Sequence, residues 1–435
     1  MKPLCIVSCP IDTFSGYGAR SRDFVRSLIE LKGEEWDIKI LPQKWGDTPW
    51  NFLSQNDPLR QRFMNQLTQQ PDVWIQITVP NEFQGVGKYN IGVSAGIETT
   101  IYPGEFIEGS NRIDLNLVSS EHSRQVALAT QFDKVDSNTN QKVGITKIEK
   151  PIEVLFEGLD LDKYYKNPQD SKLLKDIKED FCFLYTGHWL PGNFGEDRKN
   201  TATLIKTFFE TFKGPGRKKP ALVLKTNHVN YSLLDKEHII KHINRIRDMV
   251  SGNLPNVYLL HGEMTDKEMN QLNNDPKIKS FISFTKGEGY GRPLAEAAIT
   301  GKPVIVSNWS GHVDFINPEY NILIGGELKN VHKSAANQFL LKESQWFNIN
   351  VDIASRAMKD LFKHYKKYHE KSRKQTQYLK NNWSFNRMTE KLNTLLPKVE
   401  AAPQMQQVQL PKLKKINKKP DLSKLKLPKL KKINA

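Results

Sequence analysis

An α/β fold built on parallel sheets and divided between two domains is what this sequence predicts. Short apolar runs alternate with amphipathic helical stretches from the first residue to about Pro397, the pattern of strands joined by crossover helices. The runs are apolar throughout rather than at every second residue, as strands covered on both faces must be. The length, 435 residues, exceeds what one core fills at roughly 150 residues per domain.

The first strand is expected at 4–8, a short apolar stretch that reads as buried strand rather than signal peptide. A helix follows in which Phe24, Val25, Leu28 and Ile29 share a face before Gly33. Further strands are expected at 73–79, 115–119 and 154–156. After the polar, turn-rich segment EGLDLDKYYKNPQD a second series runs through 181–186, 222–225, 257–260, 278–284 and 304–307. Between these lie a helix with Leu204, Ile205, Phe208, Phe209 and Phe212 on one face, and another with Ile239, Ile240, Ile243, Ile246 and Val250. Thr265 and Glu268 have the spacing of a capping box at a third helix start.

The charge is unevenly placed. Residues 398–435 hold 11 lysines against Glu400 and Asp421, a net of +9, which leaves +7 for residues 1–397. LPKLKKIN at 410–417 recurs at 427–434, and the prolines and lysine excess predict a disordered tail. A solvated extension stands beside a tether to nucleic acid or to an anionic membrane surface as its reading. Cys5, Cys9 and Cys182 are too few, and odd in number, for a disulfide framework, so a reducing, cytoplasmic setting is expected. No apolar run approaches the roughly 20 residues of a transmembrane helix, and the mean hydropathy is −0.57.

The chemistry is concentrated in 281–315, FISFTKGEGYGRPLAEAAITGKPVIVSNWSGHVDF. A strand ends in a turn holding Gly287, Gly289 and Gly291, and a helix opens at Arg292 and Pro293, where proline is tolerated. Free N–H groups at a helix start attract anions, and glycines let a ligand approach the backbone closely. Such a turn alone can be a packing device. Two carboxylates, Glu288 and Glu296 with seven residues between them, sharpen the signal. Carboxylates accept hydrogen bonds from sugar hydroxyls while backbone N–H groups take phosphates, so the ligand implied is a nucleotide sugar. For Glu296 alone, an acid stabilising the helix dipole is the competing account.

The segment EGYGRPLAEAAITGKPVIVSNWSG resembles the signature of retaining glycosyltransferases of family 4, a glutamate, seven residues and a second glutamate. Three more segments agree in order. IEVLFEGLDLDKYY resembles the family's crossover between domains, DRKNTATLIKTFFETF its phosphate segment, and VYLLHGEMTDKEMNQL the strand and helix flanking the base. The resemblance covers nearly all of 1–397 and implies a GT-B fold, two Rossmann-like parallel-sheet domains facing a cleft. The implied divisions are an acceptor-side domain at 1–160, a nucleotide-sugar-binding domain at 161–382, a helix crossing back at 383–397 and the tail at 398–435.

Carried over residue by residue, the resemblance implies that Glu296 holds the nucleotide ribose and Glu288 contacts the transferred sugar. Gly289, Tyr290 and Gly291 would line the donor turn, Arg198 and Lys199 would grip the diphosphate, and Lys225 is a second cationic candidate. Gly16 and Gly18 in FSGYGARSRDF would face the donor phosphates, and Glu98 stands where many relatives have a cleft histidine. Ser119, Ser120 and Glu121 resemble a strand-end motif, with a helix N-cap an equally good account of Ser120. For Arg198 and Lys199 the plain alternative is a solvated helix start.

The donor is expected to be a UDP-, GDP- or similar nucleotide sugar, with no cofactor and no metal. Asp160 and Asp162 lie in the crossover and read as a structural turn, the histidines show no ligand spacing, and His312 reads as a local hydrogen-bonder. The acceptor is expected to be a glycan or lipid-linked saccharide. Glycosylation of a hydroxylated DNA base is the alternative, because the segments around Glu98 and Arg292 resemble phage-encoded relatives and a lysine tail would track phosphates. A non-catalytic sugar- or nucleotide-binding protein is the reading from another class, against which both glutamates and the Arg198, Lys199 pair speak. A dehydrogenase is weaker still, since no G-x-G-x-x-G follows the first strand.

Overall fold

The computed structural model describes residues 2–46, 48–136, 138–139, 141–167, 173–216 and 218–399. The expected tail lies outside the described residues from 400 onward. The first half runs β1 (Leu4–Cys9), α1 (Gly16–Lys32), β2 (Asp37–Pro42), β3 (Val73–Ile77), β4 (Tyr89–Val93), α2 (Gly104–Asn111), β5 (Leu115–Val118) and α3 (Glu121–Ala129), then a hairpin of β6 (Gln131–Val135) and β7 (Lys142–Lys147), and β8 (Ile152–Val154). The strands form a six-stranded parallel sheet in the order β2-β1-β3-β4-β5-β8, with the β6–β7 hairpin antiparallel and outside it.

The second half runs β9 (Cys182–Thr186), α4 (Thr201–Phe212), β10 (Ala221–Lys225), α5 (Leu233–Asp248), β11 (Val257–Leu260), α6 (Asp266–Asn274), β12 (Ile278–Ser283), α7 (Arg292–Ala298), β13 (Val304–Ser307) and β14 (Ile322–Ile324). These strands form a second six-stranded parallel sheet, β11-β10-β9-β12-β13-β14. The antiparallel pair β15 (Gly326–Asn330) and β16 (Gln345–Ile349) follows, and then α8 (Val351–Lys363), α9 (Tyr365–Asn382) and α10 (Phe385–Leu395). Among the described residues no helix is long and apolar enough to cross a membrane.

Burial explains which elements form. Leu204, Ile205, Phe208 and Phe209 of α4 are wholly buried against β9 and β10, each contributing about 1.5–3 kcal/mol by leaving water. On α5, Ile239, Ile243 and Ile246 are buried but Ile240 is 39% exposed, so it lies off the face the sequence assigned it, one helical step of about 100° away. The capping box of Thr265 and Glu268 opens α6 with both reciprocal hydrogen bonds, each cap worth about 1 kcal/mol.

The chain crosses between the halves twice, at neighbouring places. The outward crossing passes Glu157, Gly158 and Leu159, and the return passes Trp383 into α10. Leu159 N–H donates to Trp383 O at 2.9 Å, and Phe385 N–H donates to Leu159 O at 2.7 Å, so the crossings are paired as a parallel bridge. Gly158 is required there, since a Cβ would come within 2.7 Å of the Phe385 Cα. Beyond the return, Met388 and Leu392 of α10 join Phe24, Val25 and Leu28 of α1 in the first half's core, and the Ser27 and Thr389 hydroxyls are 2.7 Å apart. Asp160 forms the expected turn, its carbonyl accepting from Lys163 and Tyr164 N–H.

Candidate functional site

The turn between β12 and α7 meets the start of α4. Asn200 holds a left-handed φ of 55° at the head of α4, a conformation asparagine tolerates better than most residues, and this sharp turn presents Arg198 and Lys199 to Glu288. The Lys199 ammonium lies 2.6 Å from Glu288 Oε1. Arg198 Nη1 lies 3.3 Å from Glu288 Oε2 and donates to Gly287 O at 2.8 Å. The Arg198 carbonyl accepts from Lys286 N–H at 2.7 Å, so backbone as well as side chain fixes the pair. On its other side Arg198 Nη2 is 3.5 Å from Glu98 Oε1 of the first half. Charges of alternating sign, Glu98, Arg198, Glu288 and Lys199, thus come from three separate stretches of chain.

Glu288 is 7% exposed. Burial pushes its carboxyl up, but Lys199 and then Arg198 outweigh this and hold it down at about 2. Its backbone is fixed too: its N–H donates to Ser310 Oγ, and its carbonyl accepts from Gly311 N–H, both at 2.9 Å. His312 Nε2 lies 2.7 Å from Ser307 O, the local bond expected of it.

The glycines are explained by the opposing half. A Cβ at Gly289 would lie 1.9 Å from the Ala95 carbonyl oxygen, and one at Gly287 2.0 Å from that of Glu98. Ser119 Oγ joins the two sides, lying 2.6 Å from Ala95 O, to which it donates, and 3.0 Å from Gly289 O. Gly291 has a φ of 104°, and Tyr290 is buried with no hydrogen-bond partner for its hydroxyl among the described residues. Gly16 and Gly18 open α1. A Cβ at Gly18 would meet Thr13 O at 2.3 Å, whereas Gly16 faces open space. Between them Tyr17 reaches the same loop, its hydroxyl accepting from Ala95 N–H at 3.0 Å. Ser120 caps α3 by accepting from Ser123 N–H.

Glu296, one turn into α7, occupies a different setting. Arg292 Nε is 3.6 Å from Glu296 Oε1, while its Nη1 is 2.9 Å from Asp23 and 3.2 Å from Glu157. Tyr164 and Asp266 complete the surroundings; the Tyr164 hydroxyl donates to Asp266 at 3.1 Å. Burial pushes the Glu296 carboxyl up to about 7, with Arg292 opposing and Asp266, Asp23 and Glu157 adding to the rise. Lys225 is placed apart from Glu288: its ammonium donates to Gly262 O at 2.6 Å and lies 5.7 Å over the Tyr231 ring. His188 stands within electrostatic reach of both Lys199 and Lys225, which add to burial in pushing its imidazole down.

Sequence reasoning missed Asp23, Glu157, Tyr17 and His188 as neighbours of the site. None carries a local signal, because each is brought in by the topology. Asp197 was missed also. It precedes Arg198, and burial pushes its carboxyl up to about 6. Among the described residues no group of three or more His, Cys, Asp or Glu side chains is arranged to hold a metal ion.

No family model matches the sequence, and no curated protein matches it. Solved structures do match the fold. Sucrose-phosphate synthase from Thermosynechococcus elongatus aligns with a TM-score of 0.57 at 10% identity, over 91% of this chain and 98% of that one. HepE from Anabaena, solved in complex with UDP and glucose, aligns with a TM-score of 0.54 at 12% identity, over 90% and 99%. A glycosyltransferase from Rickettsia africae aligns with a TM-score of 0.55 at 14% identity, over 91% and 97%. The two parallel six-stranded sheets with their helices are a GT-B-like α/β fold.

Proposed function

We propose that the chain is a glycosyltransferase, moving a sugar from a nucleoside-diphosphate sugar to an acceptor hydroxyl with retention of configuration. The observation that carries this reading is the convergence of Arg198 and Lys199 on Glu288 at the head of the helix that also holds Glu296. Departure of a nucleoside diphosphate builds negative charge on phosphate while the sugar becomes oxocarbenium-like, so cations are needed at the first and a carboxylate at the second. Arg198 and Lys199 serve the leaving group. Glu288, ionised at every physiological pH by those cations, orients the sugar hydroxyls. Glu296 accepts from the ribose. The resemblance of the two-glutamate segment supports retention, and the complexes of HepE with UDP and with UDP-glucose support a UDP-sugar as the first donor to try.

The acceptor side is the first half. A cavity of about 510 Å³ at the C-terminal ends of β1, β2 and β3 is lined by Trp45, Trp74, Gln76, Thr78 and Glu82. Trp45 packs on Tyr17 with ring centres 4.0 Å apart and planes tilted by 30°, and the Tyr17 hydroxyl meets the loop facing Gly289. Flat aromatic faces beside amide and carboxylate groups suit a ring bearing hydroxyls. A glycan or lipid-linked saccharide is the first reading of the acceptor. A hydroxylated DNA base is the second, favoured by the basic face of α9 described below.

The test is binding and turnover of UDP-, GDP- and ADP-sugars by the wild type, Glu288→Ala and Glu296→Ala. Turnover of one donor, lost in both variants, is expected. Binding without turnover when glycan and DNA acceptors are supplied would leave a binding protein, and no binding of any donor would overturn the assignment.

A further inference from the structure

Helix α9 carries six basic residues and one acid in 18. Lys366, Lys367, Lys371, Arg373, Lys374 and Lys380 are all exposed. The helical period of 3.6 places 366, 373 and 380 in one row and 367, 371 and 374 in the next, so all six share one half of the cylinder. The opposite half fixes the helix in place: Ser372 Oγ donates to Gly301 O and Gln375 Nε2 to Phe315 O, both at 2.7 Å. The cations therefore cannot turn inward.

Glu370, the one acid of α9, lies between the two rows and leaves a net of five positive charges on this face. The ion pairs nearby, His364 with Asp360 and Arg387 with Glu390, involve none of the six, and among the described residues none of them pairs with a carboxylate. Lysines one helical turn apart, as 367 and 371 are, repel by a few tenths of a kcal/mol. His369 is pushed down by burial, then by Lys166 and Arg373. No large apolar side chain of α9 is exposed.

We propose that this face of α9 binds the phosphate backbone of a nucleic acid duplex. A helix of 18 residues spans about 27 Å at 1.5 Å per residue, the length of roughly eight base pairs, along which a duplex offers one negative charge per about 1.7 Å. Two rows of cations on a straight rod match a line of phosphates. A membrane surface is less well matched, because the face has no apolar side chain to insert between lipids. Contacts of this type position without reading sequence. The inference stands apart from the donor chemistry, since duplex binding and sugar transfer are measured separately.

The experiment is fluorescence anisotropy of a labelled 20-base-pair duplex titrated with the full chain between 50 and 200 mM salt. The variant combines Lys367→Gln, Lys371→Gln, Arg373→Gln and Lys374→Gln. All four side chains are exposed, and an unchanged melting temperature confirms the fold. At 50 mM salt the variant is expected to bind at least about tenfold more weakly, and the slope of log affinity against log salt should fall by about three to four, near 0.9 per lost phosphate contact. A companion variant with Lys412→Gln, Lys414→Gln and Lys415→Gln separates the tail's share. Unchanged affinity and slope in the α9 variant, with binding lost only in the tail variant, would overturn the proposal. So would α9-dependent binding to phosphatidylglycerol vesicles but not to the duplex.

Discussion

Glu288 and Glu296 stand eight positions apart around the start of one helix, yet they occupy opposite electrostatic environments. Glu288 lies between two cations and is held at about 2; Glu296 shares a single arginine with Asp23 and Glu157 and is pushed up to about 7. Both are screened from water, so burial does not separate them. The ratio of cations to acids does. Glu288 has two cationic partners of its own, whereas Glu296 competes with Asp23 and Glu157 for part of one.

The largest expected effect comes from breaking the first environment. Lys199→Ala removes the closer partner and should lower turnover of the donor by about 10²–10³-fold, with Glu288→Gln at least as severe. A Lys199→Ala enzyme turning over at the wild-type rate would remove Lys199 from the leaving-group role. Next comes the second environment. Arg292→Leu strips the shared cation from three carboxylates and should cost about 3 kcal/mol in urea unfolding. Retained stability would mean that the acids protonate and carry the loss instead.

Titration sharpens the contrast with smaller effects. The Glu296 carboxyl lies above its unfolded value, so the native state holds the proton longer and this group's contribution to stability falls as pH rises through roughly 4.5 to 7. The Glu288 carboxyl lies below its unfolded value, so its contribution is present above about 4.5 and is lost as pH falls toward 2. If the ionised Glu296 accepts from ribose, UDP affinity measured by calorimetry should strengthen severalfold between pH 6 and 8. Glu296→Gln should abolish that dependence; a Gln variant that keeps it would place the titration elsewhere. Smallest of all is Glu98→Gln. Its carboxylate is 3.5 Å from Arg198 and its side chain 28% exposed, so unfolding stability should change by less than about 1 kcal/mol.

Much of the sheet core was legible in the sequence because its strands are apolar on both faces. The first sheet's edge was not: β2 is buried only at Ile38 and Ile40 and carries Asp37 and Lys39, which pair with each other across 3.2 Å. β4 was missed because Asn90 and Gly92 interrupt its apolar run, the hairpin β6–β7 and β15 because they are largely exposed, and β16 because it is a short run interrupted by Asn348, although Trp346, Phe347 and Ile349 are buried. At the site, the two-glutamate spacing and the Arg198, Lys199 pair could be found as motifs, since each is contiguous or nearly so. The partners of Arg292 could not. Asp23 is 269 positions away and Glu157 is 135, and nothing local marks a carboxylate for a distant guanidinium. Lys225, legible as a strand-end cation, donates to Gly262 O in the fold.

The paired crossings at Leu159 and Trp383 have a mechanical consequence. A single covalent linker would act as a swivel, leaving the halves free to twist, tilt and slide. Two linkers laced together by reciprocal backbone hydrogen bonds act as a hinge with two pins. They resist torsion and translation, and leave rotation about one axis as the soft motion. Rotation about that axis would carry Gly289 and Ala95 along one arc, so registration of the opposing faces is built into the pivot.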